Sequence, residues 1–136
     1  MKESFFITLG AIGSYIAMML GGWDMGLQTL IAFMAIDYIS GLTLAGVFKK
    51  SKKSESGGLS SHCSWRGLVK KGMMLLIVYI GHRLDLYLEL DFIRTATVIA
   101  FISNELISVI ENMGLMGIPL PKVIFKAVDV LNGKAQ

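Results

Sequence analysis

Residues 25–48 read MGLQTLIAFMAIDYISGLTLAGVF, and this stretch decides the fold. Its only charged residue is Asp37, at the middle of an otherwise apolar run. A helix of this length rises about 36 Å at 1.5 Å per residue. The hydrocarbon core of a bilayer is about 30 Å thick, so such a helix can cross it with some tilt. The stretch therefore predicts a transmembrane α-helix.

The sequence contains three more apolar stretches that are long enough to form membrane helices, at residues 5–21, 72–90 and 92–110. Of the 136 residues, 54% are hydrophobic and only 17% are charged, which leaves too few polar side chains to cover a water-exposed domain of this size. We therefore predict a single all-α integral membrane domain over residues 1–136, with four transmembrane helices. The stretch 72–90 contains several ionisable residues, so three spans is the alternative.

The segment 49–71 is predicted to be a polar loop. It holds seven of the 13 basic residues and a single acidic one, Glu55. Loops rich in Lys and Arg stay on the cytoplasmic side of a membrane. Four spans then place both termini in the cytoplasm. Beyond the last span, residues 121–132 are predicted to form a short amphipathic helix at the membrane surface or on a partner.

Asp37 is the first candidate functional residue, because a charged carboxylate at the bilayer centre costs at least about 2.5–3.5 kcal/mol. It must be protonated, paired or in contact with water. One interpretation is a structural acid that pairs with His82, Arg83 or Arg94. The other is a pore-lining or proton-linked residue, and the sequence leaves both open.

The last apolar stretch carries a polar stripe formed by Asn104, Glu105 and Ser108. Within a membrane, such a stripe either packs against other helices or lines water. A chain of four helices has little room for both arrangements. Together with Asp37, these residues are therefore predicted to line a pore or to form polar contacts between subunits.

Small residues recur at four-residue spacing in the first two stretches, as Gly13 with Ala17 and as Gly41 with Ala45. This spacing places each pair on one helix face, where small side chains let helix backbones approach closely. We predict that these faces mediate helix packing and assembly into a homo-oligomer within the lipid bilayer.

The sequence contains no catalytic triad, phosphate-binding loop or dinucleotide fingerprint. His62 and Cys63 are adjacent but lack the further ligands that a metal site needs. We therefore expect no enzymatic activity, cofactor or metal. Nucleic acid is not an expected partner either, since a basic loop beside a span more readily meets anionic lipid headgroups.

Four short segments carry a family resemblance: DYISG at 37–41, RGLVKK at 66–71, NELISVIEN at 104–112 and GIPLP at 117–121. In these segments the chain resembles the phage-lysis and toxin-secretion holins of Gram-positive bacteria and their phages. The resemblance covers residues 22–131. Ser40 departs from the pattern, which has Thr before the glycine, but a hydroxyl is kept.

The resemblance implies a protein that oligomerises in the cytoplasmic membrane and opens lesions. A folded endolysin or a large toxin then leaves the cell as cargo, without necessarily binding the protein. The residues alone also allow a compact four-span transporter or channel in which Asp37 or Glu105 binds a proton or cation. A third class, an assembly subunit that docks a partner through its basic loop and tail, also stays open.

Overall fold

The computed structural model describes residues 1–135, and this part of the chain contains helices and no strand, as predicted. The five α-helices are α1 (Lys2–Met19), α2 (Met25–Thr43), α3 (Ser61–Leu88), α4 (Ile93–Leu115) and α5 (Lys122–Ala135). Helix α2 continues into a π-helical turn at Leu44–Phe48.

Side-chain caps fix where two of the helices begin. The Asp24 carboxylate accepts a hydrogen bond from the Leu27 backbone N–H at 2.9 Å and so caps α2. The Ser60 hydroxyl accepts one from the Cys63 N–H at 3.4 Å and caps α3. Each cap satisfies a backbone donor that the first turn of a helix leaves unpaired.

Helices α2, α3 and α4 pack around one apolar core, while α1 buries none of its residues. Helix α5 runs back along α4, and Leu131 packs against the edge of the core. The core side chains are Leu20, Leu27, Leu30, Met34, Met74, Val78, Val98 and Ile102.

The close contact between α3 and α4 depends on Gly81. A methyl group at this position would lie 3.2 Å from the Cα atom of Arg94. Contacts this short are tighter than ordinary packing, so a larger residue would push the two helices apart. Gly81 thus has a packing role that was not predicted from the sequence.

The predicted boundary of the polar loop was wrong. Helix α3 begins at Ser61 rather than at residue 72, so the loop covers only residues 49–60. The polar composition of residues 61–71 suggested a loop, but the Ser60 cap and the absence of proline allow a helix there. The tail helix lies close to its predicted bounds and packs on α4 of the same chain.

Within residues 1–135, two helical segments are long and apolar enough to cross a membrane, namely Met25–Phe48 and Ile93–Leu115. Helix α1 includes the charged residues Lys2 and Glu3, and α3 includes several charged residues. Helix length and composition therefore support two of the four predicted spans directly.

Candidate functional site

The central feature of the molecule is a buried ion-pair cluster formed by Asp37, Lys71 and Glu105, one residue from each of α2, α3 and α4. The Lys71 ammonium lies 2.6 Å from a carboxylate oxygen of Asp37 and 2.6 Å from one of Glu105. The Lys71 side chain is 13% exposed, and the two acids are 6% and 3% exposed. One cation thus joins two carboxylates that are almost removed from water.

Asn112 adds two further hydrogen bonds to this cluster. Its side-chain amide donates to Asp37 Oδ1 at 3.2 Å and to the Ser40 hydroxyl at 2.9 Å. The Ser40 hydroxyl in turn donates to the Asp37 carbonyl oxygen at 3.1 Å. Both carboxylate oxygens of Asp37 therefore have partners, and α2 is tied to both α3 and α4.

The charges in the cluster explain how acids can lie inside apolar helices. Pairing with an ammonium offsets much of the cost of moving a carboxylate out of water, provided that the remaining polar atoms are hydrogen-bonded. In the described part of the chain, every buried side-chain nitrogen and oxygen atom has such a partner. With two carboxylates and one ammonium, the cluster keeps one excess negative charge when all three groups are ionised.

A cavity of about 340 Å³ opens beside the cluster, between α2, α3, α4 and the loop. It brings together six of the eight site residues predicted from the sequence. These are Asp37, Gly41, Ala45, Asn104, Glu105 and Ser108.

The other two predicted site residues, Gly13 and Ala17, line a separate cavity of about 640 Å³. The walls of this cavity are mostly apolar and come from α1, the following turn and α2. A methyl group on Gly13 would meet no atom within 4 Å. Its role in contacts between copies of the chain stays a prediction.

Gly41 provides a test of the packing around the cluster. We expect Gly41→Leu to displace the Asn112 side chain from Asp37 and Ser40, because even a methyl group at position 41 would lie 3.7 Å from the Asn112 amide nitrogen. Losing hydrogen bonds to buried polar groups costs about 1–3 kcal/mol. The measurement is the unfolding free energy in detergent, followed by circular dichroism.

Gly46→Leu is the matched control for this substitution. It lies near the same end of the helix, but a methyl group there would meet nothing within 4 Å. Equal stability of the two variants would contradict the assigned role of Gly41. Cross-linking of the Gly41→Leu variant in membranes would show in addition whether the predicted oligomerisation is impaired.

A second polar cluster centres on Arg94, far from Asp37. The Arg94 guanidinium lies 2.6 Å from an Asp24 carboxylate oxygen and donates to the backbone carbonyls of Leu20 and Gly22. The Asp85 carboxylate accepts the backbone N–H groups of Ile93 and Arg94, and so caps the start of α4. This cluster fixes the turn between α1 and α2 against the turn between α3 and α4.

The hydrogen bond from Arg94 lowers the pKa of Asp24 from its ordinary value, against an opposing effect of burial. Because the folded pKa lies below the unfolded one, the contact stabilises the fold at neutral pH. This contribution is lost as the pH falls through the lowered pKa.

The suggested pairing of Asp37 with His82, Arg83 or Arg94 is therefore wrong, since its cation is Lys71. The sequence predicts a loop at Lys71, so its role as the cation was not predicted. A usable signal existed: Lys71 precedes Met74, Val78, Gly81 and Asp85 at spacings of three and four, which marks one helix face.

Comparison with known proteins agrees with the family resemblance seen in the sequence. A model of the bacteriophage holin family matches residues 14–133. An uncharacterized protein of Clostridium perfringens strain 13 is 36% identical over 94% of this chain and 92% of its own length. A probable holin of Bacillus phage phi105 is 31% identical over 77% of this chain and 73% of its own length. No solved structure gives a significant match.

Proposed function

Since the chain belongs to the bacteriophage holin family, we propose that it oligomerises in the cytoplasmic membrane and opens lesions there. An endolysin or a large toxin passes through these lesions and need not bind the protein. Such permeabilisation depends on changes in helix contacts and requires no catalytic residue.

The Asp37–Lys71–Glu105 cluster is the observation that carries this proposal. In a single chain the cluster turns three charged groups inward, away from lipid. If α3 separates from α2 and α4 during assembly, the same groups become available to line water. Charged side chains inside a membrane favour a water-filled space over hydrocarbon. The cluster can therefore stabilise a closed chain and, once opened, a hydrated lesion.

The structure also supports α3 as a membrane span despite its charges. Lys71 points inward to its two carboxylates, and Asp85 points inward to the backbone N–H groups of Ile93 and Arg94, so neither contacts lipid. The segment from Lys70 to Arg83 rises about 20 Å, and these two exposed side chains can extend toward the headgroups at each end. Between them, α3 exposes a stripe of large apolar side chains, namely Met73, Leu76, Ile77 and Ile80.

Helix α1 is suited to lipid on all sides, because it exposes apolar side chains around its circumference and buries none. We propose that α1 is a further span, which gives four in total. The basic loop at 49–60 is then cytoplasmic, as are both termini.

Cys63 tests this topology. In intact cells, before any lysis, we expect a membrane-impermeant maleimide to leave it unmodified and to react only after the cells are opened, because position 63 lies on the cytoplasmic side. The matched control is Glu89→Cys in a Cys63→Ser background, since Glu89 lies in the exposed turn before α4. This control should react in intact cells. Labelling of Cys63 before lysis would contradict four spans.

Induced expression tests the function itself. We expect an abrupt loss of membrane potential that does not saturate, followed by release of a co-expressed cytoplasmic enzyme. A saturable flux of one solute, coupled to its gradient, would instead support a small transporter that uses the cavity beside Asp37 and Glu105.

A further inference from the structure

Helix α5 covers the middle of α4. The Ser103 hydroxyl donates to the Asn132 side-chain oxygen at 2.6 Å, and Ser103 is only 2% exposed. Ser103 lies near the midpoint of α4, while α5 begins at Lys122, beyond the C-terminal end of α4. Helix α5 therefore returns along α4 to about half its length.

This position is poorly suited to a lipid environment. The outer face of α5 exposes Lys126, Asp129 and Lys134, which would lie beside hydrocarbon if α4 crosses the membrane. Helix α5 packs on α4, yet it buries none of its own residues completely. The linker 116–121 ends α4 with Gly117 at a positive φ and contains Pro119 and Pro121, so the two helices are not continuous. An amphipathic helix of this kind is stable at the membrane surface.

Departure of α5 would remove the side-chain partner of the Ser103 hydroxyl within the bilayer and leave it only the backbone carbonyls one turn earlier in α4. Lipid tails offer no hydrogen bond, whereas a second Ser103 offers both a donor and an acceptor. Ala100, one turn earlier on the same side of α4, is small and allows another helix to approach. In a contact between two copies of α4, one Ser103 hydroxyl donates a hydrogen bond to the other.

We infer that the Ser103 face of α4 is a contact surface for a second copy of this chain, and that α5 covers this surface in the single chain. Assembly then requires α5 to move from α4 to the membrane surface. The inference rests on the proposed function only in that α4 spans the membrane.

Cysteine cross-linking in a Cys63→Ser background tests the surface directly. The full-length Ser103→Cys variant is reconstituted in vesicles of phosphatidylethanolamine and phosphatidylglycerol and then oxidised. We expect disulfide-linked dimers. Phe101→Cys is the control at nearly the same depth, because two residues along a helix turn by about 200° and Phe101 packs against the core of its own chain. Absence of Ser103→Cys dimers, or equal dimer yields at both positions, would overturn the inference.

A second variant tests the covering role of α5. Ser103→Cys/Asn132→Cys is closed within one chain by a short bis-methanethiosulfonate cross-linker before reconstitution. We expect the closed protein to lose the oligomer ladder given by a lysine cross-linker, and a reductant to restore the ladder. A full ladder from the closed protein would contradict the covering role.

Release of a fluorescent dextran from the same vesicles distinguishes the proposed lesion formation from the inferred contact surface on α4. Dimers through Ser103 without dextran release would leave the inference standing and count against lesion formation. Dextran release by protein that remains closed by the cross-linker would overturn the inference and leave the proposed function intact.

Discussion

Lys71→Met is expected to destabilise the folded chain by about 3–5 kcal/mol, because removing one partner leaves uncompensated charge in a buried site. The variant keeps Asp37 and Glu105 in place but removes the ammonium that lies 2.6 Å from both. The two carboxylates would then repel each other at the centre of three packed helices. The unfolding free energy in detergent micelles measures this loss.

Lys70→Met is the matched control, since it removes the same type of side chain from the exposed neighbouring position. Substitutions at exposed sites usually change stability by less than about 0.5 kcal/mol. The triple variant Asp37→Asn/Lys71→Met/Glu105→Gln should recover most of the stability, because no charge remains in the cluster. If the Lys70→Met and Lys71→Met variants have the same unfolding free energy, the cluster does not stabilise the fold.

The sequence predicted the acids of this cluster but not their cation, for a physical reason. A carboxylate inside an apolar run is conspicuous because it has no polar neighbours, as with Asp37. Lys71 lies at the end of a basic segment, so its charge does not distinguish it from the neighbouring basic residues. Only its helical register with Met74 and Val78 distinguishes it, and that register is a weaker signal than an isolated charge in an apolar run.

The turns, like the cluster, depend on contacts between residues that are far apart in the sequence. The apolar stretches predicted an all-helical chain correctly, because hydrophobic length is a local property of the sequence. Arg94 contacts Asp24 across a sequence separation of 70 residues, and Gly81 matters because the backbone of α4 lies close to it. Neither contact has a local signature, so both required the folded structure.

Hydropathy counts every charge equally, so the charged residues of α3 lower its mean hydropathy whether or not they face the interior. Lys71 and Asp85 face inward and are hydrogen-bonded, whereas Lys70 and Arg83 are exposed near the ends of the apolar segment. The cost of a charge in a membrane depends on its partners and its depth. The direction of each side chain is therefore compatible with the proposal that α3 crosses the membrane.

Glu105 distinguishes between two roles for the cluster. One oxygen of its carboxylate accepts a hydrogen bond from Lys71, and the residue lines the polar cavity together with Asn104 and Ser108. If Glu105 exchanges a proton as part of its function, an amide at this position abolishes activity. If it supplies a polar contact, an amide replaces it, because the glutamine side chain keeps an acceptor oxygen.

We expect Glu105→Gln to keep most of the permeabilising activity and Glu105→Leu to lose it. Glutamine still accepts from Lys71 and leaves one carboxylate for one ammonium, whereas leucine removes the polar contact and makes part of the cavity wall apolar. Membrane depolarisation and release of a co-expressed cytoplasmic enzyme measure both variants, with insertion and cross-linking as controls. An inactive Glu105→Gln protein that inserts and oligomerises normally would contradict the polar-contact role and favour a proton-coupled transporter.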